Sequence, residues 1–298
     1  MIQQPKIIVI VGPTASGKTS LSIQLAKTYH GEIISADSRQ VYRGLNIGTG
    51  KVTTKEMDGV PHHLLDVADP NDTYTVADYV RDADDAITHI ISRDKIPVIV
   101  GGTFLYIDTL LGKITTPDVP PNETFRKELE TFSNEDLVAR LKALDPERHA
   151  HIDIHNRRRL IRALEIVEAR GSVPKQKPIQ RYTALILGID IEKEALHAHI
   201  HTRLLSRMEE GMLNEAITLH ENGLSYERME DLGLEYRYLA RYLQNKITYE
   251  VMLSEIETKS IQYAKRQMTW LKRDKSIIWI KTHHKTDIRT AILHFLQN

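Results

Sequence analysis

Short, nearly uninterrupted apolar runs punctuate the chain at Lys6–Val11, Glu32–Ala36, Ile96–Val100, Ala184–Ile189 and Ser276–Ile280. Runs of this length, rich in β-branched residues and lacking polar alternation, predict strands buried on both faces. Helical periodicity fills the intervals over Ser16–Tyr29, Val76–Arg93 and Lys193–Asn222, and again over Tyr249–Lys272. In the first of these, Leu21, Leu25 and Thr28 share one side; in the last, Ile261, Ala264, Met268 and Leu271 form the apolar stripe. Lys265 with Lys272 and Arg266 with Arg273 lie seven apart on its outer side. Strand–helix alternation of this kind predicts an α/β fold, a parallel sheet flanked by helices. Ligands of such sheets bind at the carboxyl ends of the strands. Three loops are expected to meet there: the one after Val11, the segment Asp37-Ser38-Arg39-Gln40, and Gly101-Gly102-Thr103.

The alternation stops between about Gly112 and Tyr182. A Pro-rich linker, Thr116 to Pro121, leads into helical patterns at Glu123–Phe132, Asn134–Leu144 and Asn156–Ala169, and Gly171 with Pro174 and Pro178 closes the stretch. This predicts an all-helical insertion domain (112–182) within an α/β core made of 1–111 and 183–298. In the last helix Leu160, Leu164 and Val167 form the apolar stripe, while Arg158 and Arg162 stack one turn apart with Arg159 nearby. Such an arginine ladder suits phosphate or base contacts, and pairing of Arg162 with Glu165 at i, i+3 is the alternative.

Composition narrows the class. The chain of 298 residues is 41% hydrophobic and 27% charged, ordinary for a globular protein, and is long enough for one large or two smaller domains. No apolar run approaches a membrane span, the N-terminus lacks a signal-peptide pattern, and there are no cysteines, so a cytoplasmic protein without disulfides or thiolate zinc is expected. Net charge is zero. The distribution is uneven: eight Lys/Arg against two acids from His155 to Arg181, and six against one from Lys259 to Lys275. Local basic faces on a neutral chain suit a phosphate backbone or serve as solvated helix surface, and charge alone leaves both readings open.

The chemistry concentrates after the first strand. Gly12-Pro13-Thr14-Ala15-Ser16-Gly17-Lys18-Thr19 fits the phosphate-loop pattern at every fixed position, between a strand and a helix, which gives a P-loop NTPase-like core. Backbone amides of such a loop cradle phosphate oxygens, Lys18 adds a mobile charge, and the Thr19 hydroxyl can ligate magnesium. Asp37, at the carboxyl end of the second strand, can hold a hydrated metal or accept a proton; a turn or N-cap role is its bland alternative. Arg203 could neutralise a leaving group, although spacing alone makes it an ordinary surface arginine. Trp270 is expected to pack. His62 and His63, being adjacent, point apart and suggest no metal site.

These residues resemble the bacterial tRNA dimethylallyltransferase (tRNA isopentenyltransferase) family. The resemblance runs in family order through Gly12–Thr19, Ile33–Arg43 (IISADSRQVYR), Asn46–Lys51 (NIGTGK), Asp58–Asp66 (DGVPHHLLD), Gly101–Tyr106 (GGTFLY), Arg159–Glu165 (RLIRALE), Arg203 and Tyr263–Asp274 (YAKRQMTWLKRD). It implies transfer of a dimethylallyl group from dimethylallyl diphosphate to the exocyclic amine of an adenine beside the anticodon, by a monomeric enzyme whose helical insertion grips the anticodon stem-loop. It further implies Asp37 as general base, Asp37 to Gln40 and Thr103 against the RNA, and Arg158, Arg159 and Arg162 on tRNA. Gly12 to Thr19 and Arg203 would hold the diphosphate, with Mg2+ at Thr19. The chain departs from the family pattern at Phe104, Asp153-Ile154-His155, Leu205 and Gly233-Leu234-Glu235-Tyr236, and its inserted region is short. A small-molecule kinase using ATP, a prenyltransferase of free adenine nucleotides and a non-catalytic RNA-binding relative are the competing readings.

Overall fold

A computed structural model describes residues 4–175, 177–281 and 285–297. Two compact units emerge: residues up to Gly112 together with those from Gln180 onward, and Lys113–Ile179.

The first unit is built on a six-stranded, wholly parallel sheet. Its strands are β1 (Lys6–Val11), β2 (Gly31–Ala36), β3 (His62–His63), β4 (Ile96–Gly101), β5 (Thr183–Ile189) and β6 (Ile278–Ile280), in the order β3-β2-β4-β1-β5-β6. The alternating side chains of β1 divide between two cores. Ile7, Val9 and Val11 pack with the helix Val76–Ile91, whose N-terminus is closed by a Thr75/Asp78 capping box. Ile8 and Ile10 pack on the other face with Leu21 and Leu25 of the helix Lys18–Thr28 and with Ile288 and Ile292 of the helix Lys285–Gln297. Strands covered on both faces read as continuous apolar runs, which is why β1, β2, β4 and β5 are visible in the sequence.

The departures from expectation have local causes. The helical pattern Lys193–Asn222 is two helices, Lys193–Glu209 and Met212–Glu221, broken at Gly211, whose φ of 100° lies outside the helical region. Thr28 is exposed rather than inward-facing. The edge strand β6 is shorter than the run Ser276–Ile280, and β3 escapes notice because two residues carry no periodicity. A third core, Met212, Met229, Tyr236, Leu239, Met252 and Ile256 against Val41 and Leu45, unites helices of the C-terminal half with the segment after β2.

The second unit consists of helices Glu123–Glu130, Asn134–Leu144, Pro146–His151 and Arg157–Arg170. Asn122, Ser133, Asp145 and Asn156 each accept a backbone N–H of the first turn that follows. Leu160, Leu164 and Val167 are buried with Leu129, Leu137 and Leu141.

Candidate active site

Strand register brings the three loops together. Val11 of β1 and Ala36 of β2 both pair with Gly101 of β4, so the chain leaves all three strands at one level. A cavity of about 890 Å3 opens there, lined by Thr14 to Ser20, Asp37, Gln40, Gly101, Gly102, Arg203, Arg207, Tyr263 and Gln267 among others. All of these belong to the first unit.

The phosphate loop turns sharply because Ala15 (φ 61°) and Gly17 (φ 87°) both take left-handed backbone, easy for glycine and uncommon for alanine. Lys18 Nζ folds back to donate to the Pro13 carbonyl at 2.6 Å. Burial, then the nearby Arg203 charge, lowers the Lys18 ammonium to about 7, with Asp37 opposing the shift. Ser16 Oγ is buried without a partner. The Thr14 backbone N–H is donated to Gln267 Oε1 at 2.8 Å, and the Thr14 hydroxyl accepts from Arg203 Nη2. Arg203 is thus held against the phosphate loop rather than being an ordinary surface arginine. Burial, then repulsion from Arg207, lowers it to about 10, against the pull of Glu235 and Asp37.

Asp37 faces the same cavity. Its Oδ1 accepts the backbone N–H groups of Arg39 (2.8 Å) and Gln40 (3.3 Å), which fixes the carboxylate; the turn role and a chemical role coexist here. The Thr103 hydroxyl accepts the Ser38 backbone N–H at 3.0 Å, and the Thr103 N–H is donated to the Ala36 carbonyl at 3.1 Å. Thr103 and the Asp37–Gln40 segment therefore form one surface beside the phosphate loop. Gln40 Nε2 reaches the Gly50 carbonyl at 3.2 Å, and Arg39 donates to the Ser38 carbonyl.

The segment Asn46–Lys51 forms the facing wall. Glu215 accepts the backbone N–H groups of Asn46, Ile47 and Gly48 at 3.0, 2.7 and 3.0 Å, and the Tyr236 hydroxyl at 2.6 Å. Buried Lys51 donates to the Tyr42 carbonyl at 2.8 Å and pairs with Asp66. Arg207 donates to the Gly48 carbonyl and to Glu235, both at 3.3 Å. Two residues of the divergent Gly233–Tyr236 stretch thus have partners of their own. Sequence reading missed Arg207, Glu215 and Gln267. Arg207 and Gln267 are buried and Glu215 half-buried, all three on helices, and nothing in periodicity separates them from outward-facing residues; only Gln267 had a pointer, the specific motif around it.

His62 Nδ1 lies 2.9 Å from the Val60 carbonyl, and His63 Nε2 lies 2.7 Å from Glu32, so the two imidazoles serve different partners. Trp270 is over a third exposed and donates to Asp108 at 2.8 Å, so it is less packed than expected.

In the helical unit the arginine ladder separates by role. Arg162 pairs with Glu165 and donates to the Val119 carbonyl at 2.8 Å, as the i, i+3 alternative anticipated. Glu165 is only 2% exposed, and it also accepts from Arg126 and from the Asn122 N–H. Arg157 caps the C-terminus of the helix Glu123–Glu130 through the Leu129, Glu130 and Phe132 carbonyls. Arg158 and Arg159 are exposed.

Similarity to known proteins extends over most of the chain. A family model described as IPP transferase matches residues 40–274. The tRNA dimethylallyltransferase 1 of Geotalea uraniireducens is 43% identical over 267 residues, covering 90% of this chain and 88% of the relative. The tRNA dimethylallyltransferase of Shouchella clausii is 40% identical over 287 residues, covering 94% and 92%. Among solved structures, the full-length tRNA isopentenylpyrophosphate transferase of Bacillus halodurans is similar at TM-score 0.75 and 35% identity, covering 99% of this chain and 97% of that one. A eukaryotic dimethylallyltransferase acting on tRNA is similar at TM-score 0.81 and 29% identity, covering 95% and 76%.

Proposed function

Because the chain belongs to the IPP transferase family, we propose that it transfers a dimethylallyl group from dimethylallyl diphosphate to the exocyclic amine of the adenine 3′ to the tRNA anticodon, releasing diphosphate. The observation that carries this reading is the convergence on one cavity of a phosphate loop, a half-buried arginine and a carboxylate. The named relatives are tRNA enzymes, which favours tRNA over ATP or a free adenine nucleotide as the partner of that cavity.

The reaction breaks the bond from the allylic carbon to the diphosphate oxygen and forms a carbon–nitrogen bond. The electron pair leaves with diphosphate, and the amine proton passes to Asp37. An aromatic exocyclic amine is a weak nucleophile, so removal of its proton and stabilisation of the leaving group must coincide. The loop amides after Thr14, Lys18 and Arg203 receive the developing negative charge. Lys18, lowered to about 7 by burial and Arg203, is poised to take up a proton when a multiply charged diphosphate arrives. The unpartnered Ser16 hydroxyl fits a phosphate oxygen. The target adenine must leave its stack to reach Asp37, and the Asp37–Gln40 and Thr103 surface is where it docks.

Mg2+ fits the donors present. Thr19 offers one hydroxyl, and among the described residues no cluster of three or more His, Asp or Glu side chains could form a closed cage. That suits an ion that keeps its waters and binds chiefly substrate oxygens. When bound, Mg2+ supplies charge neutralisation at the diphosphate.

We assign phosphate contacts in the helical unit to Arg158 and Arg159, and a buttressing role to Arg162. We infer that the enzyme acts as a monomer on its tRNA. Among the described residues no helix is long and apolar enough to cross a membrane. The test is incubation of the protein with tRNA and dimethylallyl diphosphate, followed by nucleoside mass spectrometry. One dimethylated allyl adduct on an adenosine beside the anticodon is expected. Adduct formation on free adenine nucleotides but not on tRNA would overturn the choice of acceptor.

A further inference from the structure

Gln267 lies in the helix Tyr249–Leu271, within the motif AKRQMTW, and no step of the transfer uses it. It is only 3% exposed, a polar residue among the inward-facing positions Ala264 and Leu271. Both ends of its amide are committed. Oε1 accepts the Thr14 backbone N–H at 2.8 Å, and Nε2 donates to the Gly102 carbonyl at 3.0 Å. The Tyr263 hydroxyl, one turn earlier, reaches the same carbonyl at 3.4 Å. A Cβ at Gly102 would stand 2.3 Å from Gln267 Nε2, so any side chain there must displace the amide.

These two contacts join the two halves of the site. Thr14 belongs to the phosphate loop and accepts from Arg203. Gly102 precedes Thr103, whose hydroxyl fixes the Ser38 amide directly after Asp37. A buried amide with one donor and one acceptor used across such a gap behaves as a ruler, since neither partner can shift without leaving a buried polar group unpaired. Only an amide of this length serves: a glutamate would set two acceptors against the Gly102 carbonyl, and a methionine keeps the length but bonds neither end.

We propose that Gln267 is a positioning residue that sets the distance between the diphosphate-holding loop and the Asp37–Thr103 surface, so that the allylic carbon and the adenine amine meet in line. The inference rests on the transfer reaction proposed above. Gln267 touches neither reacting atom. Its loss is expected in the rate of the chemical step rather than in the affinity of either substrate, because each half of the site keeps its own contacts.

The experiment is single-turnover transfer at saturating tRNA and dimethylallyl diphosphate, with inorganic diphosphate and tRNA affinities measured separately, for the parent, Gln267→Met, Gln267→Glu and Gly102→Ala. Misplacement of about an ångström costs up to about 100-fold in rate, so a loss of about 10–100-fold is expected for Gln267→Met, with each affinity within about threefold of the parent. Gly102→Ala pushes the amide aside from the opposite partner. The double variant Gly102→Ala/Gln267→Met should therefore lose less than the product of the single losses. Parent-like rates in folded Gln267→Met, or losses that multiply, would overturn the proposal; so would a rate that falls only in proportion to the folded fraction. If the parent itself transfers nothing to tRNA, the proposed function has failed rather than this inference.

Discussion

Arg162 separates a residue that holds RNA from one that holds the protein. Glu165 is buried with three partners: Arg162, Arg126 through Nε (2.9 Å) and Nη2 (3.1 Å), and the Asn122 N–H (2.6 Å). Burial alone would raise its pKa; the bonds from Arg126, Asn122 and Arg162 bring it below the ordinary value. Stripping a buried ion pair of one partner usually costs about 3–5 kcal/mol. Here Arg126 remains, and the loss should approach that of a single charged hydrogen bond, about 2 kcal/mol. In Arg162→Met, that is about a 30-fold rise in local opening. Amide hydrogen exchange of the full chain reads it directly: protection of the helices Glu123–Glu130 and Arg157–Arg170 should fall about 30-fold, while tRNA affinity stays close to the parent's because the closed form remains dominant. In Arg162→Met/Glu165→Gln the carboxylate is gone and an amide oxygen still accepts from Asn122 and Arg126 Nε, but the amide NH2 faces Arg126 Nη2, donor against donor, so protection should return only in part. The reasoning is refuted if Arg162→Met leaves exchange unchanged yet weakens tRNA binding and lowers its salt slope by about 0.7–0.9. Arg162 would then touch a phosphate.

Further consequences concern the site and the sheet. Lys18→Ala and Thr19→Ala should each abolish transfer while circular dichroism and melting stay close to the parent; near-normal turnover of either would remove the phosphate loop from the mechanism. Asp37→Asn keeps the turn acceptor but not the base, and a rate loss of about 10²–10⁴-fold at saturating substrates with unchanged tRNA affinity is expected. Arg158→Ala and Arg159→Ala should each flatten the slope of log tRNA affinity against log salt by about 0.7–0.9, without affecting diphosphate binding. Glu32 has a pH signature. Burial works to raise its carboxyl, but hydrogen bonds from Lys95 and His63, with the Arg93 charge, hold it down at about 2. A lowered carboxylate gives its full stabilisation above its ordinary value of 4.5 and loses it as pH falls towards 2. Glu32→Gln should therefore be less stable at neutral pH and show a shallower acid limb in urea titrations between pH 5 and pH 2 — ranges set by those two values.

The legible parts of this protein are those whose physics is local. The strand β1 and the phosphate loop announce themselves because an apolar run, a glycine-rich turn and a helix follow one another without interruption. Asp37 was legible from its place at a strand end, and the apolar stripe Leu160, Leu164 and Val167 is buried as its spacing indicates. What stayed hidden depends on contacts far apart in the sequence. Gln267 meets Thr14 across 253 residues, and Arg203 meets Thr14 across 189. Spacing cannot distinguish an arginine held against the site from one turned to solvent. The break at Gly211 was missed because the apolar pattern continues across it, whereas the backbone does not. Arg158 and Arg162 share a helix face, and the i, i+3 spacing offers Glu165 as the partner of Arg162, but only the tertiary structure shows that Glu165 is buried.

The central claim is that one cavity brings an allylic diphosphate and a tRNA adenine together. The most direct measurement is nucleoside mass spectrometry of tRNA after incubation of purified parent and Asp37→Asn protein with dimethylallyl diphosphate and Mg2+, with ATP replacing the allylic diphosphate as the control. The account predicts dimethylallylated adenosine, beside the anticodon only, formed by the parent with dimethylallyl diphosphate and slowed by orders of magnitude in Asp37→Asn. Unmodified tRNA with the folded parent, or phosphoryl transfer in the ATP control, would contradict it.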